Sequence, residues 1–535
     1  SVGGAVAYYK RDGYGKNLNT GAEHYDKDVI AGRISVEFTP SDTVFFRLAA
    51  DKTVDKSNPR HGTRLSGNAG LPAFAPTASV YDTNAGIGDH NKVETQGISL
   101  TGEIGLGDAL TFKTISAYRD GHSDTVIDFD NTAQPVLDIP AFYDDRQYTQ
   151  EFQLLYEGER LQGVFGLYYL NGRASGAFDT VLGLANLTIL TSGTVKTKSY
   201  AAFADLNYDL TDQFSVSVGG RYTSDKKTGT VYRQNFTGIR SPEFGNAGAV
   251  PGLLRTDYTN SKTFDEFTPR VSVSWKPDRD LTLYASYSKG FKSGGFDMRG
   301  DAVLTPTTVN GYNTEKVDAY EVGLKGAFLD NKLTVNLAGY YSDYKDQQVT
   351  LQIPTAGGIA SFVDNAGKSE IYDMEREFRA VPSRHLSVSA ALGYTHAAFK
   401  EYLAYDLATG TRVDVADQRQ FQNTPKWNGN VSATWSEDLA GGTVALTPSI
   451  SFRSDYLLFE IPTPLLDQDG YALVDASVTW TSDDKRFQLG VHGRNLTNER
   501  YRVGGYNFPG ALFGNSIIGF YGPPRTVSVS GEVRF

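Results

Sequence analysis

Residues 471–501, YALVDASVTWTSDDKRFQLGVHGRNLTNERY, together with the closing residues 525–535, RTVSVSGEVRF, decide the fold. Val474, Ala476, Val478 and Trp480 fall on one face of an extended chain, and Asp475, Ser477 and Thr479 fall on the other. The turn Asp483-Asp484-Lys485 reverses the chain, after which Phe487, Leu489 and Val491 oppose Gln488, Gly490, His492 and Arg494. The last segment alternates Val527, Val529, Gly531, Val533 and Phe535 with Ser528, Ser530, Glu532 and Arg534. A repeat of two means strands, and one apolar face against one charged face suits a sheet between a bilayer and water.

The same alternation runs outward through the chain. Tyr320, Val322, Leu324, Gly326 and Phe328 oppose Glu321, Gly323, Lys325 and Ala327, and Leu333, Val335, Leu337, Gly339 and Tyr341 oppose Thr334, Asn336, Ala338, Tyr340 and Ser342. Tyr200, Ala202, Ala204, Leu206, Tyr208 and Leu210 oppose Phe203, Asp205, Asn207 and Asp209. Carboxylates in mid-strand are too costly for a lipid face, so this face points into a wide, wet lumen. Composition agrees. The chain has 32 Tyr, 30 Phe and 56 Gly against 2 Met and 4 Trp, which favours strands, tight turns and interfacial rings. No apolar run is long enough for a membrane helix, whereas a membrane strand needs lipid-facing residues only at alternate positions. With no cysteine there is no disulfide or thiolate metal site, and a net charge of −11 argues against nucleic acid as a partner.

Two kinds of connection separate the strands. Short polar turns fall at 39–42, 105–108, 157–160, 210–212, 276–279, 329–331, 381–384, 437–442 and 482–485. Long loops are expected at 11–28, 52–92, 120–144, 173–196, 226–262, 291–316, 346–367, 398–424, 454–470 and 497–524. Short turns at one rim and long loops at the other are the pattern of outer-membrane barrels, with the long loops outside and the carboxy terminus at the periplasmic rim. The strands number about twenty, and barrels of the plugged-transporter type have about 22.

Five stretches carry a family resemblance. LGVHGRNLTNERY with GPPRTVSVSGEVRF, YASYSKGFKSGGF at 284–296, VDAYEVGLKG at 317–326, NAGKSEIYDMEREF at 365–378 and NTPKWNG at 423–429 resemble, in order, the barrel motifs of TonB-dependent outer-membrane receptors. One departure is Asp373, which stands where that family usually has glycine after the tyrosine. The resemblance implies an all-β, large antiparallel outer-membrane barrel that is not an enzyme. It also implies contact with outer-membrane lipid and lipopolysaccharide. The implied role is binding a scarce solute at the outer loops and importing it to the periplasm with TonB. A ferric siderophore is the commonest implied cargo, and carbohydrate, cobalamin or aromatic compounds are alternatives. A passive pore, an adhesive barrel and an outer-membrane hydrolase are the competing classes. In that family a plug domain and a coupling segment precede the barrel. Neither is recognisable here, so residues 1–535 are expected to be the barrel without its opening strands, the plug lying upstream or in a separate chain.

The candidate ligand contacts are aromatic. Tyr506, Phe508, Phe513, Phe520 and Tyr521 lie in the glycine-rich stretch YNFPGALFGNSIIGFYGPP, and Phe291, Phe296 and Arg299 lie just beyond a strand end. Rigid rings with a few polar groups line many small-molecule sites, while an interfacial girdle is the competing role. His24, His61, His90 and His122 have no paired spacing and read as solvated loop residues; with His385, His396 and His492 they mark no metal or cofactor site. Asp82, Asp89, Asp124, Asp128 and Asp130 lack EF-hand spacing and read as solubilising charges. No stretch reads as a nucleophile elbow.

Overall fold

The structure, a computed structural model, describes residues 1–67, 74–355, 358–406 and 411–535. The expected loops at 52–92, 346–367 and 398–424 include the three remaining segments, which lie outside the described residues. One antiparallel sheet of 21 strands dominates. One of them, Thr411–Asp414, is a short flap on Leu386–Asp406, which leaves twenty full strands, as the alternation predicts. Each pairs with its neighbour in sequence, from Val2–Arg11 against Lys27–Ser41 to Phe487–Arg494 against Thr526–Val533. Among the described residues, neither Val2–Arg11 nor Thr526–Val533 has a register on its other side. Both strands are exposed on both faces, with Val6 at 81% and Val529 at 78%. Among the described residues no helix is long and apolar enough to cross a membrane.

The outward face is apolar and its aromatic side chains stack across the strands. Tyr287, Tyr320, Tyr341, Tyr372 and His396 stand opposite one another in register, with successive ring centroids 5.1, 6.4, 5.1 and 5.8 Å apart. Tyr148, Tyr169 and Tyr200 continue the row elsewhere, at 6.4 and 5.0 Å. Such rows are the rings of an interfacial girdle. The inward face is ionic: Arg119 donates to Asp51 at 2.7 Å, Lys113 meets Glu103 at 2.8 Å, and Arg270 meets Asp205 at 3.3 Å. Glu321 accepts from Tyr284 and Asp373 from Thr395, each at 2.5 Å. The lumenal carboxylates Asp205, Glu321 and Asp373 thus each have a polar partner.

This division predicts an asymmetric response to charge. Val322, 61% exposed on the outward face, lies between Tyr320 and Leu324. Val322→Arg is expected to lower the stability of the membrane-inserted barrel by about 2–4 kcal/mol, the cost of a guanidinium near the bilayer centre. Asn336→Arg, inward beside Glu377 at 3.2 Å, is expected to change it little. Denaturant titration of the protein folded into lipid vesicles measures both.

Six of the nine short turns fall where expected and the other three come slightly later, at 42–43, 279–280 and 384–385, but the other rim differs. The segments expected as loops at 120–144, 173–196, 226–262 and 346–367 are largely strand. Leu161–Leu182 and Leu187–Asp209 are joined across residues 183–186, and Val250–Asp278 runs for 29 residues. A strand crosses the hydrocarbon in about 9–11 residues, so these hairpins rise far above the membrane. There, lipid no longer enforces strict alternation, and the segments read as polar loop. Apolar burial is concentrated in this crown: Phe513 with Leu137 and Leu182, Leu466 with Tyr456 and Leu458, and Tyr25 with Tyr81 and Tyr521.

Candidate functional site

The motif RNLTNERY builds the base of the crown. Asn495, 4% exposed, accepts from the Glu499 amide at 2.8 Å and donates to the Glu499 and Pro523 carbonyls at 2.8 and 3.1 Å. Its own amide donates to Asp475 at 2.7 Å, so one side chain clamps both ends of the 496–523 excursion. Within that excursion Arg502–Phe508 pairs with Ser516–Tyr521, which in turn pairs with Thr63–Arg64. A side chain at Gly505 would meet Leu466 Cδ1 at 2.1 Å, so only glycine lets this hairpin settle on Leu466.

Five rings converge on this hairpin. Phe129 packs edge-on to Tyr506 at 4.7 Å and lies 5.2 Å from Phe508; Tyr506 is 5.7 Å from Phe520, and Phe508 is 6.2 Å from Phe513. Tyr506, Phe508, Phe520 and Phe129 are half-buried, so each leaves ring surface accessible, and burial raises the Tyr506 phenol above its ordinary pKa, keeping it neutral. Phe513 and Tyr521 are buried at 7% and 9%. Phe513 packs on Leu137 and Leu182, while the Tyr521 amide donates to the Tyr25 hydroxyl at 3.1 Å. These two order the loop. Phe129 escaped the sequence reading because its partners lie in a remote segment and no local pattern marks it.

The second group is separate. Among the described residues no ring pair or hydrogen bond joins it to the first. In GFKSGGF a side chain at Gly294 would meet Phe264 Cε1 and the Tyr312 carbonyl, each at 2.3 Å, which explains the glycine. Phe296 is buried at 5% against Tyr258, 6.3 Å between rings, and Phe291 is half-buried at the strand end. Arg299 is held by Asp297 at 2.8 Å, and its carbonyl accepts from Arg233 at 2.7 Å. Asp301, 2% exposed, anchors the following loop to Arg255 at 2.5 Å and Arg233 at 3.5 Å. Burial lowers the Arg233 guanidinium to about 10, with Asp301 opposing the shift.

Two expectations about polar loop residues are corrected. His24 and His61 are not solvated: they are 1% and 0% exposed, with rings stacked at 6.3 Å. His24 Nδ1 bonds the Tyr81 carbonyl at 2.7 Å, and its Nε2 accepts from the His61 amide at 3.2 Å. His61 Nε2 bonds the Gly88 carbonyl at 3.1 Å, and its Nδ1 accepts from the Asp128 amide at 3.2 Å. With all four ring nitrogens engaged by backbone, both are structural, and burial pushes His61 down to about 4. Asp128 and Asp130 are not surface charges either, at 1% and 0% exposure. Burial and mutual repulsion hold Asp128 well above the carboxylate range, and burial lifts Asp130 to about 6. These residues are buried because segments distant in sequence fold over them. Asp82, Asp89 and Asp124 take polar partners at the surface, Asp124 pairing with His90 at 3.1 Å.

The family model for the TonB dependent receptor-like β-barrel matches residues 35–496. The chain belongs to the TonB-dependent receptor family. It is therefore an integral outer-membrane β-barrel of a receptor family whose members transport rather than catalyse, with its long hairpins outside. The pesticin receptor of Yersinia enterocolitica is 23% identical over 445 residues, covering 82% of this chain and 58% of that protein. The metal-pseudopaline receptor CntO of Pseudomonas aeruginosa is 26% identical over 311 residues, covering 57% of this chain and 39% of that protein. This receptor chain thus spans less than two thirds of those relatives. Among solved structures, the ferric yersiniabactin uptake receptor FyuA from Yersinia pestis superposes with a TM-score of 0.77 at 21% identity, covering all of this chain and 75% of that one.

Proposed function

We propose that this receptor binds a ferric siderophore or a similar iron complex at its outer crown and imports it to the periplasm, driven by TonB. The observation that carries this reading is the cluster of half-buried rings, Phe129, Tyr506, Phe508 and Phe520, on a crown above an ionic lumen. Ring faces with one neutral hydroxyl suit a flat organic chelator wrapped round its metal. The name of the metal-pseudopaline receptor, which carries a metal complex in its description, supports the same general role. The strand edges of Val2–Arg11 and Thr526–Val533 that carry no register among the described residues support a further hairpin closing the barrel at this seam. A plugged lumen blocks diffusion, so opening it takes outside work, and that is the reason for energy coupling.

The test is uptake of radiolabelled iron presented on a panel of chelators to cells whose other ferric receptors are deleted. Uptake of at least one chelate that vanishes on deletion of TonB is the expected result. Uptake that persists without TonB would mean a passive pore. Failure with every iron chelate but success with carbohydrate, cobalamin or an aromatic compound would reassign the cargo. Tyr506→Ala with Phe508→Ala is expected to weaken binding of the transported chelate by about 10–100-fold, a loss of about 1.4–2.8 kcal/mol. Equilibrium binding to whole cells measures it.

A further inference from the structure

We propose that Asp128, Asp130 and Asp138 form a calcium site that pins the tip of the 110–157 hairpin to the neighbouring loops. Asp128 and Asp138 face each other as the last pair of Leu110–Asp128 and Asp138–Glu157, and Asp130 lies in the connection between them. One oxygen from each carboxylate lies within 4.8 Å of the other two. Bonds of about 2.3–2.6 Å to one ion place any two ligands no farther apart than about 4.6–5.2 Å, and the three oxygens lie within that span of one another.

The site is built rather than incidental. The three residues are 1%, 0% and 5% exposed. The Asp128 oxygens accept from the amides of Gly86, Asp130 and Asn131, and the Asp130 oxygens from the amides of Thr132 and Leu137 and the Thr132 hydroxyl. These bonds fix both carboxylates and leave further lone pairs free. Independently, Asp138 Oδ1 is buried with no hydrogen-bond partner at all. Among the described residues none of the three makes an ion pair; the nearby Arg64 guanidinium donates to carbonyls and the Ser516 hydroxyl instead. Three acids buried this close together can all keep their charged form only with a cation among them. Hard oxygen donors without histidine or sulfur select calcium or magnesium over transition metals, and calcium accepts the more irregular shell. The site is enclosed beneath the hairpin, so the ion is a structural element and not cargo, and the inference stands apart from the proposed uptake role.

Calcium alone is the probe, added to the full receptor folded in detergent and freed of divalent ions. The wild type is expected to bind one more calcium ion per chain than Asp138→Asn does. Calcium is also expected to slow protease cleavage within 128–138 in the wild type only. In chelator the order reverses, the Asn variant being the more resistant because it removes a buried acid left without its cation. Equal calcium stoichiometry in the two proteins overturns the proposal, as does wild-type cleavage indifferent to calcium. Should Asp138→Asn fail to fold, terbium luminescence of the wild type decides: emission displaced by calcium but not by a tenfold excess of magnesium supports the site. Absence of emission, or equal displacement by magnesium, overturns the calcium assignment.

Discussion

Asp301→Ala is expected to release the loop 293–314 from the crown while leaving the barrel inserted. Asp301 is enclosed at 2% exposure and is the carboxylate that faces Arg255 at 2.5 Å and Arg233 at 3.5 Å. Its second oxygen accepts from the Val303 and Leu304 amides at 3.2 and 3.3 Å, and its carbonyl accepts from Thr305. Removing it leaves both guanidinium groups without their carboxylate, Arg233 keeping only its bonds to the Thr191 hydroxyl and the Arg299 carbonyl. Breaking a buried pair in that way costs about 3–5 kcal/mol, which raises the open population of the loop by about 100-fold or more. Cleavage by a protease at limiting concentration, read by mass within 293–314, is expected to accelerate by that factor. Asp301→Asn, which keeps the acceptor and loses the charge, is expected to fall between. Adding Arg255→Met to Asp301→Ala is expected to recover part of the loss, because the penalty lies in the stranded charge. An unchanged cleavage rate would mean that water reaches the arginines and that the loop is held by Phe296 and Tyr258 instead.

What the sequence revealed, and what it hid, follows the solvent. Along the membrane, each residue is constrained by lipid on one side and water on the other, and that constraint is local. Tyr320, Val322 and Glu321 betray their faces within three residues, and the turn at 329–331 announces itself by polar residues able to take positive φ, as Asp330 and Asn331 do at 57° and 64°. Above the membrane the constraint is global. Phe129 joins the ring cluster only because Tyr506 and Phe508 fold against it, and His61 becomes buried only because His24 and the Asp128 amide close round it. The same holds for the acidic residues: Asp124 and Asp128 look alike in the chain, yet one meets His90 at the surface and the other is enclosed. Periodicity reports neighbours at short spacing and is silent on such encounters. Glycine-rich aromatic composition at 506–524 reads as a loop, whereas much of the segment is a small hairpin, and composition does not say which of its rings are buried.

Arg64→Met should loosen two loops at once, and that coupling is the sharper test of how the crown is organised. Arg64, 2% exposed beside the ring of Phe74, donates to the Asp130 carbonyl at 2.9 Å, the Ser516 hydroxyl at 3.0 Å and the Ser66 carbonyl at 2.8 Å. It also donates to the carbonyls of Gly514 and Asn515. One planar group thus holds the 128–138 hairpin tip to the loop that carries Phe513 and positions Tyr506 and Phe508. Methionine fills the volume but leaves these acceptors without donors. Loss of several charge-assisted bonds, partly offset by sparing the guanidinium its desolvation, is expected to cost about 3–5 kcal/mol. Amide exchange in 128–138 and in 510–521 should accelerate together. Arg64→Lys should rescue little, since an ammonium cannot reach diverging carbonyls with a flat fork. If exchange rose in only one segment, the two loops would be independent, and the ring cluster would owe its order to apolar packing on Leu137 and Leu182 alone.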